Sequence, residues 1–349
     1  MLGGSPDPTG EDPSVLDNSS GTGGGAGASG SSGGSGGTGG ASPSAGAGGT
    51  GVTPVAIPGA PSVVSVSPSN DAGGVAADAV VTVTFSEPMD TSSVEAAYSS
   101  IELPAGSISF TWSNGDTVLE IEPNQPLTLI SGSDPAVTPA RSYSFVIGTA
   151  AVDLEGDALP RFSSSFTTLR QITQTLFAVQ DRTLTGNYRS DDVYGNNSCT
   201  QDGSETTCIG DSSNANSTYR GFVTFDLSGL PVQIPELAGA RLSMLIHTIR
   251  GAPFTALGSL VAERVSFDSI SMTAFDSAAL GPAIPVTSSA TTGTQLSIDV
   301  LASVQDDMPG RERSQFRFRF TTLTDSNDEG DLIEWDSPSE KLELTYLTP

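Results

Sequence analysis

Val81-Thr82-Val83-Thr84-Phe85-Ser86-Glu87-Pro88-Met89-Asp90 sets apolar side chains at 81, 83 and 85 and polar ones at 82 and 84. Alternation of this kind builds a strand with one face in a core and one in water, and Ser-Glu-Pro then ends it. The texture continues on both sides. Short runs rich in Val, Thr, Phe and Ile, punctuated by Gly, Pro, Asn and Asp, predict strands at Val63–Ser67, Val80–Ser86, Ser107–Trp112, Val118–Glu122, Ser142–Ile147 and Ser163–Thr168. Ser92–Tyr98 is the one short helix expected there. The fold class is all-β.

Pro61–Pro68, the Phe85-Ser86-Glu87-Pro88-Met89-Asp90 segment, Tyr143–Ile147 leading into Ala151–Asp157, and Ser165-Phe166-Thr167-Thr168 follow one another in the order seen in bacterial Ig-like domains. The stretch from about Pro61 to Leu169 resembles those domains, which occur in S-layer and other surface proteins. The resemblance implies a β-sandwich serving as spacer or adhesion module, without catalytic residues.

From Gln174 onward the chain is again β-rich, notably at Tyr219–Pro231, Ala238–Leu245, Leu296–Val300, Gln315–Phe320 and Leu342–Tyr346. Arg220, Phe225, Asp226, Leu227, Ser228, Ala240 and Leu242 fall at the positions of a DNRLRE-type domain, which this part resembles. That family implies a jelly-roll sandwich related to carbohydrate-binding modules. The departure is an elongated polar loop, Ser190–Ser217. The motif residues also read without any function: Phe222 and Phe225 suit a sandwich core, and Asp226 can close a turn on its own backbone.

Ser19–Gly51 holds only Gly, Ala, Ser, Thr and one Pro, so nothing in it can contribute much to a core. Such composition is expected to stay disordered, and a coil of about 33 residues spans about 30 Å. The expected organisation is therefore a tether over residues 1–58, an Ig-like sandwich over 59–170 and a jelly-roll over 171–349. A Gly-x-Ser-x-Gly string at Gly33–Gly37 lacks the strand and helix that a nucleophile elbow requires.

Over 349 residues, 40 Asp and Glu face 14 Lys and Arg, a formal charge of −26. That balance repels nucleic acids and anionic membrane surfaces. No run of eighteen apolar residues is present to span a membrane. The acidic opening followed by a Gly/Ser stretch is similar to the mature start of bacterial lipoproteins, which implies a lipid anchor ahead of residue 1.

Candidate sites are few. Cys199 and Cys208, alone in a polar stretch, read as a local disulfide of an oxidising compartment or as two unpaired thiols. Asp325, Asn327, Glu329, Asp331 and Asp336 occupy positions 1, 3, 5, 7 and 12 of a window with Gly330 at 6, the spacing of a calcium loop. The last ligand would normally be Glu and no flanking helices are expected, so a solvated hairpin loop is the alternative. Tyr188, Tyr194, Tyr219 and Trp335 lie in or beside polar loops, where they could stack on sugar rings or anchor the loops. Arg317 and Arg319 alternate with Phe316, Phe318 and Phe320; they pair with carboxylates across the sheet or take an acidic sugar. His247, the sole histidine, sits within the apparent strand Leu242–Ile249 and suits a structural role.

These features describe a non-catalytic, extracellular or cell-surface protein that binds or scaffolds. The expected partner of its head is a polysaccharide or matrix component, with calcium the one candidate cofactor. The alternative is a structural subunit of an envelope, filament or coat that assembles with other surface proteins.

Overall fold

The computed structural model describes residues 59–191, 206–213, 217–231, 234, 236–336 and 339–349. The tether, Tyr194 and Cys199 lie outside them.

The alternation around Val81 becomes strand β3, and its buried 81, 83 and 85 positions fix which way the whole first sandwich faces. Its strands are β1 (Val63–Ser67), β2 (Ala72–Val75), β3 (Val81–Phe85), β4 (Tyr98–Ser99), β5 (Ile108–Ser113), β6 (Val118–Pro123), β7 (Ile130–Gly132), β8 (Ser142–Ile147) and β9 (Phe162–Thr168). One sheet has the order β1-β3-β6-β5 and the other β2-β9-β8-β4. Between them Val81, Val83, Phe85, Leu119, Ile121, Tyr143, Phe145 and Phe166 form one buried cluster. The Ser-Glu-Pro-Met-Asp segment is the corner of this sandwich. Met89 is fully buried. Asp90 caps helix α1 (Thr91–Ala97) by accepting the Ser92 and Ser93 N–H groups at 3.0 and 3.3 Å.

The rest of the chain adds β10 (Arg170–Phe177), β11 (Gly186–Arg189), β12 (Thr206–Asp211), β13 (Thr218–Asp226), β14 (Glu236–Arg250), β15 (Leu260–Arg264), β16 (Ile284–Thr287), β17 (Gln295–Asp299), β18 (Arg313–Phe320), β19 (Leu332–Asp336) and β20 (Lys341–Thr348). Three short helices, α2 (Pro253–Ala256), α3 (Met272–Asp276) and α4 (Leu301–Asp307), lie between them. The strands form one ladder in the order β16-β15-β18-β13-β12-β19-β14-β20-β10-β7, with β11 on β13 and β17 on β14. β14 belongs to two layers. Its first half pairs with β17 and β20, and after Leu245 it pairs with β19 instead. Leu242, Met244, Leu296, Leu342, Leu344 and Tyr346 of one layer thereby face Val223, Phe225, Phe316, Phe318, Phe320 and Trp335 of the other across a common core.

The two sandwiches are coupled at Leu169, the single residue between β9 and β10. β7 crosses over to pair in parallel with β10 through Ile130↔Arg170 and Gly132↔Ile172. Arg170 reinforces the junction by donating to the Pro135 and Thr138 carbonyls at 2.7 and 2.9 Å.

One expectation is corrected. The expected polar loop 190–217 contains β12, buried along its whole length between β13 and β19. Thr206 and Thr207 are as inaccessible as Ile209 because strands flank this segment on both sides.

Just before β20, Glu340 is buried and accepts the Trp335 indole N–H at 2.7 Å, while its other carboxylate oxygen has no partner. Burial pushes its carboxyl up to about 7 from 4.5. The folded protein therefore holds a proton there that the unfolded chain releases above about pH 4.5. Its contribution to stability is full below that pH and is lost as pH rises through about 7. Urea denaturation of Glu340→Gln should show the variant gaining on the parent by on the order of 3 kcal/mol between pH 5 and pH 8. Parallel pH profiles for the two proteins would refute this assignment.

Candidate functional site

Phe316-Arg317-Phe318-Arg319-Phe320 puts its aromatic rings into the common core and its arginines on the opposite face of β18. β13 lies alongside with Phe222 opposite Arg317, so Arg220 falls beside Arg319. On the other flank β15 sets Glu263 opposite Arg317. A second apolar cluster covers part of this face: Tyr188, Phe222, Ile270, Ala274 and Phe275, brought over by α3.

Arg317 is saturated. It grips Glu263 Oε2 through Nε and Nη2 at 2.9 and 2.6 Å, and its Nη1 reaches the Phe275 and Ser277 carbonyls, both at 2.8 Å. These carbonyls end α3, where a cation offsets the exposed C=O groups. Arg319 donates to Glu263 Oε1 from Nε at 2.8 Å. Burial raises the Glu263 pKa, but hydrogen bonds from Arg319 and Arg317 outweigh it and hold the carboxyl below its ordinary value. Arg220 lies 4.0 Å over the Phe275 ring and donates from Nη1 to the Phe275 carbonyl. Burial first, and then the charge of Arg317, draw its pKa down to about 10.

The aromatic residues expected at loop surfaces are mostly interior. Trp335 is fully buried in β19, edge-on to Phe318 at 5.0 Å, and Tyr188 and Tyr219 are buried in β11 and β13. A stacking platform cannot be formed from these three, because strands and α3 cover their rings. Phe177, at 59% exposure, is a surface aromatic that the sequence analysis does not single out, because no motif or polar loop marks it.

The five residues with calcium-loop spacing are not gathered. Asp325, Asn327 and Glu329 are exposed, and their oxygens turn back on the local backbone: Asp325 Oδ1 accepts the Asn327 N–H at 3.2 Å and Asn327 Oδ1 the Glu329 N–H at 2.6 Å. Asp331 is buried and accepts the Ala252 N–H. That approach leaves no room for a Cβ at Gly251, whose φ is +64°. Asp336 ends β19, about 16 Å further on by strand rise, and pairs with His247 Nδ1 at 3.2 Å. Elsewhere, oxygens of Glu87, Asp153 and Glu155 come within 4.8 Å of one another, although Asp153 Oδ1 already accepts the Glu155 and Asp157 N–H groups. Cys208 is fully buried in β12.

The outward face of β17, β14 and β20 carries a groove of about 510 Å³. Arg241, Ser243, Gln295, Ser297, Lys341 and Glu343 line it. The Lys341 ammonium sits 5.6 Å above the exposed Phe177 ring. No motif marks this groove, since its polar groups are the ordinary outward positions of three strands.

Residues 58–168 match the family model described as a bacterial Ig-like domain. No curated protein matches the chain. Among solved structures, the N-terminal part of the bacterial S-layer protein SbsC aligns at 14% identity and a TM-score of 0.23, over 49% of this chain and 41% of that one. An L,D-transpeptidase from Mycobacterium smegmatis aligns at 18% identity and 0.22, over 50% and 70%. A longer piece of SbsC, rSbsC(31-844), gives 11% and 0.22, over 82% and 54%. None of these bears on activity. Residues 58–168 thus match the bacterial Ig-like domain model, and the strands between Val63 and Thr168 form the two facing sheets of such a sandwich.

Proposed function

We propose that the chain is a non-catalytic, extracellular or cell-surface bacterial protein in which the Ig-like sandwich is a spacer and the region 171–349 a head that meets the partner. The observation carrying this reading is the Ig-like domain itself, joined to a second sandwich by one residue and the β7–β10 pairing, an arrangement suited to holding a head at a fixed attitude. Reading the head as a DNRLRE-type jelly-roll is supported by its first strand, β10, pairing with its last, β20, and by Asp226 accepting the Ser228 N–H at 2.9 Å. Brief protease treatment of intact cells of the source bacterium should release peptides from residues 59–349. Their protection until lysis would refute a surface location.

A polysaccharide partner is favoured by one feature, the exposed Phe177 ring beside the polar groove on β14 and β20, because sugar rings take aromatic contact together with hydrogen bonds. A glycan array probed with the purified protein should lose its signal when Phe177→Ala and Lys341→Ala are combined. No glycan bound by the parent, or unchanged binding by the variant, would leave assembly through protein contacts as the function.

The Cys199–Cys208 disulfide is also proposed, on the ground that no other cysteine exists in the chain to serve either one. It would pin the segment ahead of β12 and stabilise by about 2–3 kcal/mol. Intact mass should rise by two hydrogens on reduction, and an unchanged mass would remove the bridge.

A further inference from the structure

The outer face of β13 and β18 carries three guanidinium groups, Arg220, Arg317 and Arg319, around one carboxylate, Glu263. Asp276, exposed at the end of α3, is the remaining acidic group whose charge reaches Arg220. The cluster keeps a net positive charge in a protein of formal charge −26.

The three arginines are not equivalent. Arg317 has all three nitrogens engaged and is buried, with a side-chain exposure of 5%. It is a structural clasp between Glu263 and α3. Arg319 is 25% exposed; its Nε and Nη2 share Glu263 Oε1 at 2.8 and 2.7 Å and its Nη1 donates to the Phe320 carbonyl at 3.0 Å, which leaves its outer N–H groups toward solvent. Arg220 spends one nitrogen, Nη1, on the Phe275 carbonyl, while its buried Nε has no partner. Its Nη2 engages no protein group among the described residues, and the residue as a whole is half-buried. A buried guanidinium donor left unsatisfied is costly, and a cation crowded by two others without matching anions is costlier. Structural need explains Arg317 and Glu263. It does not explain Arg220, or the need for a second cation on a carboxylate that Arg317 already neutralises, since apolar residues on the same face would avoid that excess charge.

We propose that Arg220 and Arg319 form a binding site for a single carboxylate group, carried by a sugar acid or comparable small monoanion. A guanidinium offers a planar pair of N–H donors matched to the two oxygens of a carboxylate, which makes arginine the residue for such ligands. The Phe275 ring under Arg220 fixes the guanidinium plane. An extended polyanion is disfavoured by the negative charge of the surrounding protein, so the site selects an isolated charge. The site lies on a different face from the groove on β14 and β20 and stands or falls independently of the function proposed above.

The test is thermal denaturation of the protein in increasing sodium glucuronate, against sodium chloride at equal ionic strength, because salt alone stabilises so acidic a chain. Glucuronate should raise the melting temperature with a saturable dependence in the millimolar range, beyond the chloride response. Arg220→Gln with Arg319→Gln should remove the saturable part, while Arg161→Gln, at an exposed arginine of the first sandwich, keeps it. Removing the Phe275 contact lowers the starting stability of the double variant. The single variant Arg319→Gln keeps that contact and should weaken the saturable part at least tenfold. Coincident glucuronate and chloride curves for the parent, or a saturable response unchanged in Arg319→Gln, would overturn the site.

Discussion

The second sandwich of this protein depends on one strand serving two layers. β14 runs for fifteen residues, and among the described residues no other strand hydrogen-bonds to both β20 and β19. The ladder changes partner after Leu245, directly ahead of a bulge between Ile246 and Thr248, where one extra residue bends the strand. Because β14 passes from layer to layer, the aromatic side of β18 and the aliphatic side of β20 close over the same core. The outward faces of both layers, with their grooves and charges, are positioned by that closure.

Buried polar groups are concentrated in the layer containing β12, β13 and β18, and two sets of them are closed by definite partners. Asp211 Oδ1 accepts the Asp331 N–H at 2.8 Å, and the Asp331 carbonyl accepts the Asp211 N–H at 2.9 Å. Asp307, fully buried, is shared by Arg264 at 2.8 Å, Arg311 at 2.5 Å and Ser314 at 2.8 Å. Removing one member of such a set leaves charge uncompensated in a place water does not reach.

The first sandwich was legible because its strands obey the simple rule of one face in and one face out. Val63–Ser67 and Ser142–Ile147 were readable to the residue. β2, β4 and β7 were not, being four residues or fewer and containing glycine or serine in place of an apolar stripe. In the head, alternation identified β18 and the core rings of β13, but β12 obeys another rule. Thr-Thr-Cys-Ile-Gly-Asp is buried on both faces and so shows no period, and its polar residues look like loop. The acidic window at Asp325–Asp336 misled for the converse reason: its second half is the interior strand β19, which carries Asp336 away from the others. The arginine pair was visible as a pattern. Its relation to Arg220 and Glu263 was not, because these meet only through strand neighbours distant in sequence.

The junction at Leu169 leaves no length of chain in which the two sandwiches could swivel. A torque applied to the Ig-like module passes directly into the ladder of the head, through β7 on one side of β10 and β20 on the other. Parallel neighbours such as β7 and β10 meet a pull along their length as shear, with their hydrogen bonds loaded together and not peeled one after another. A rotation of one sandwich against the other therefore has to break the β7–β10 hydrogen bonds and cannot be absorbed by turning a linker.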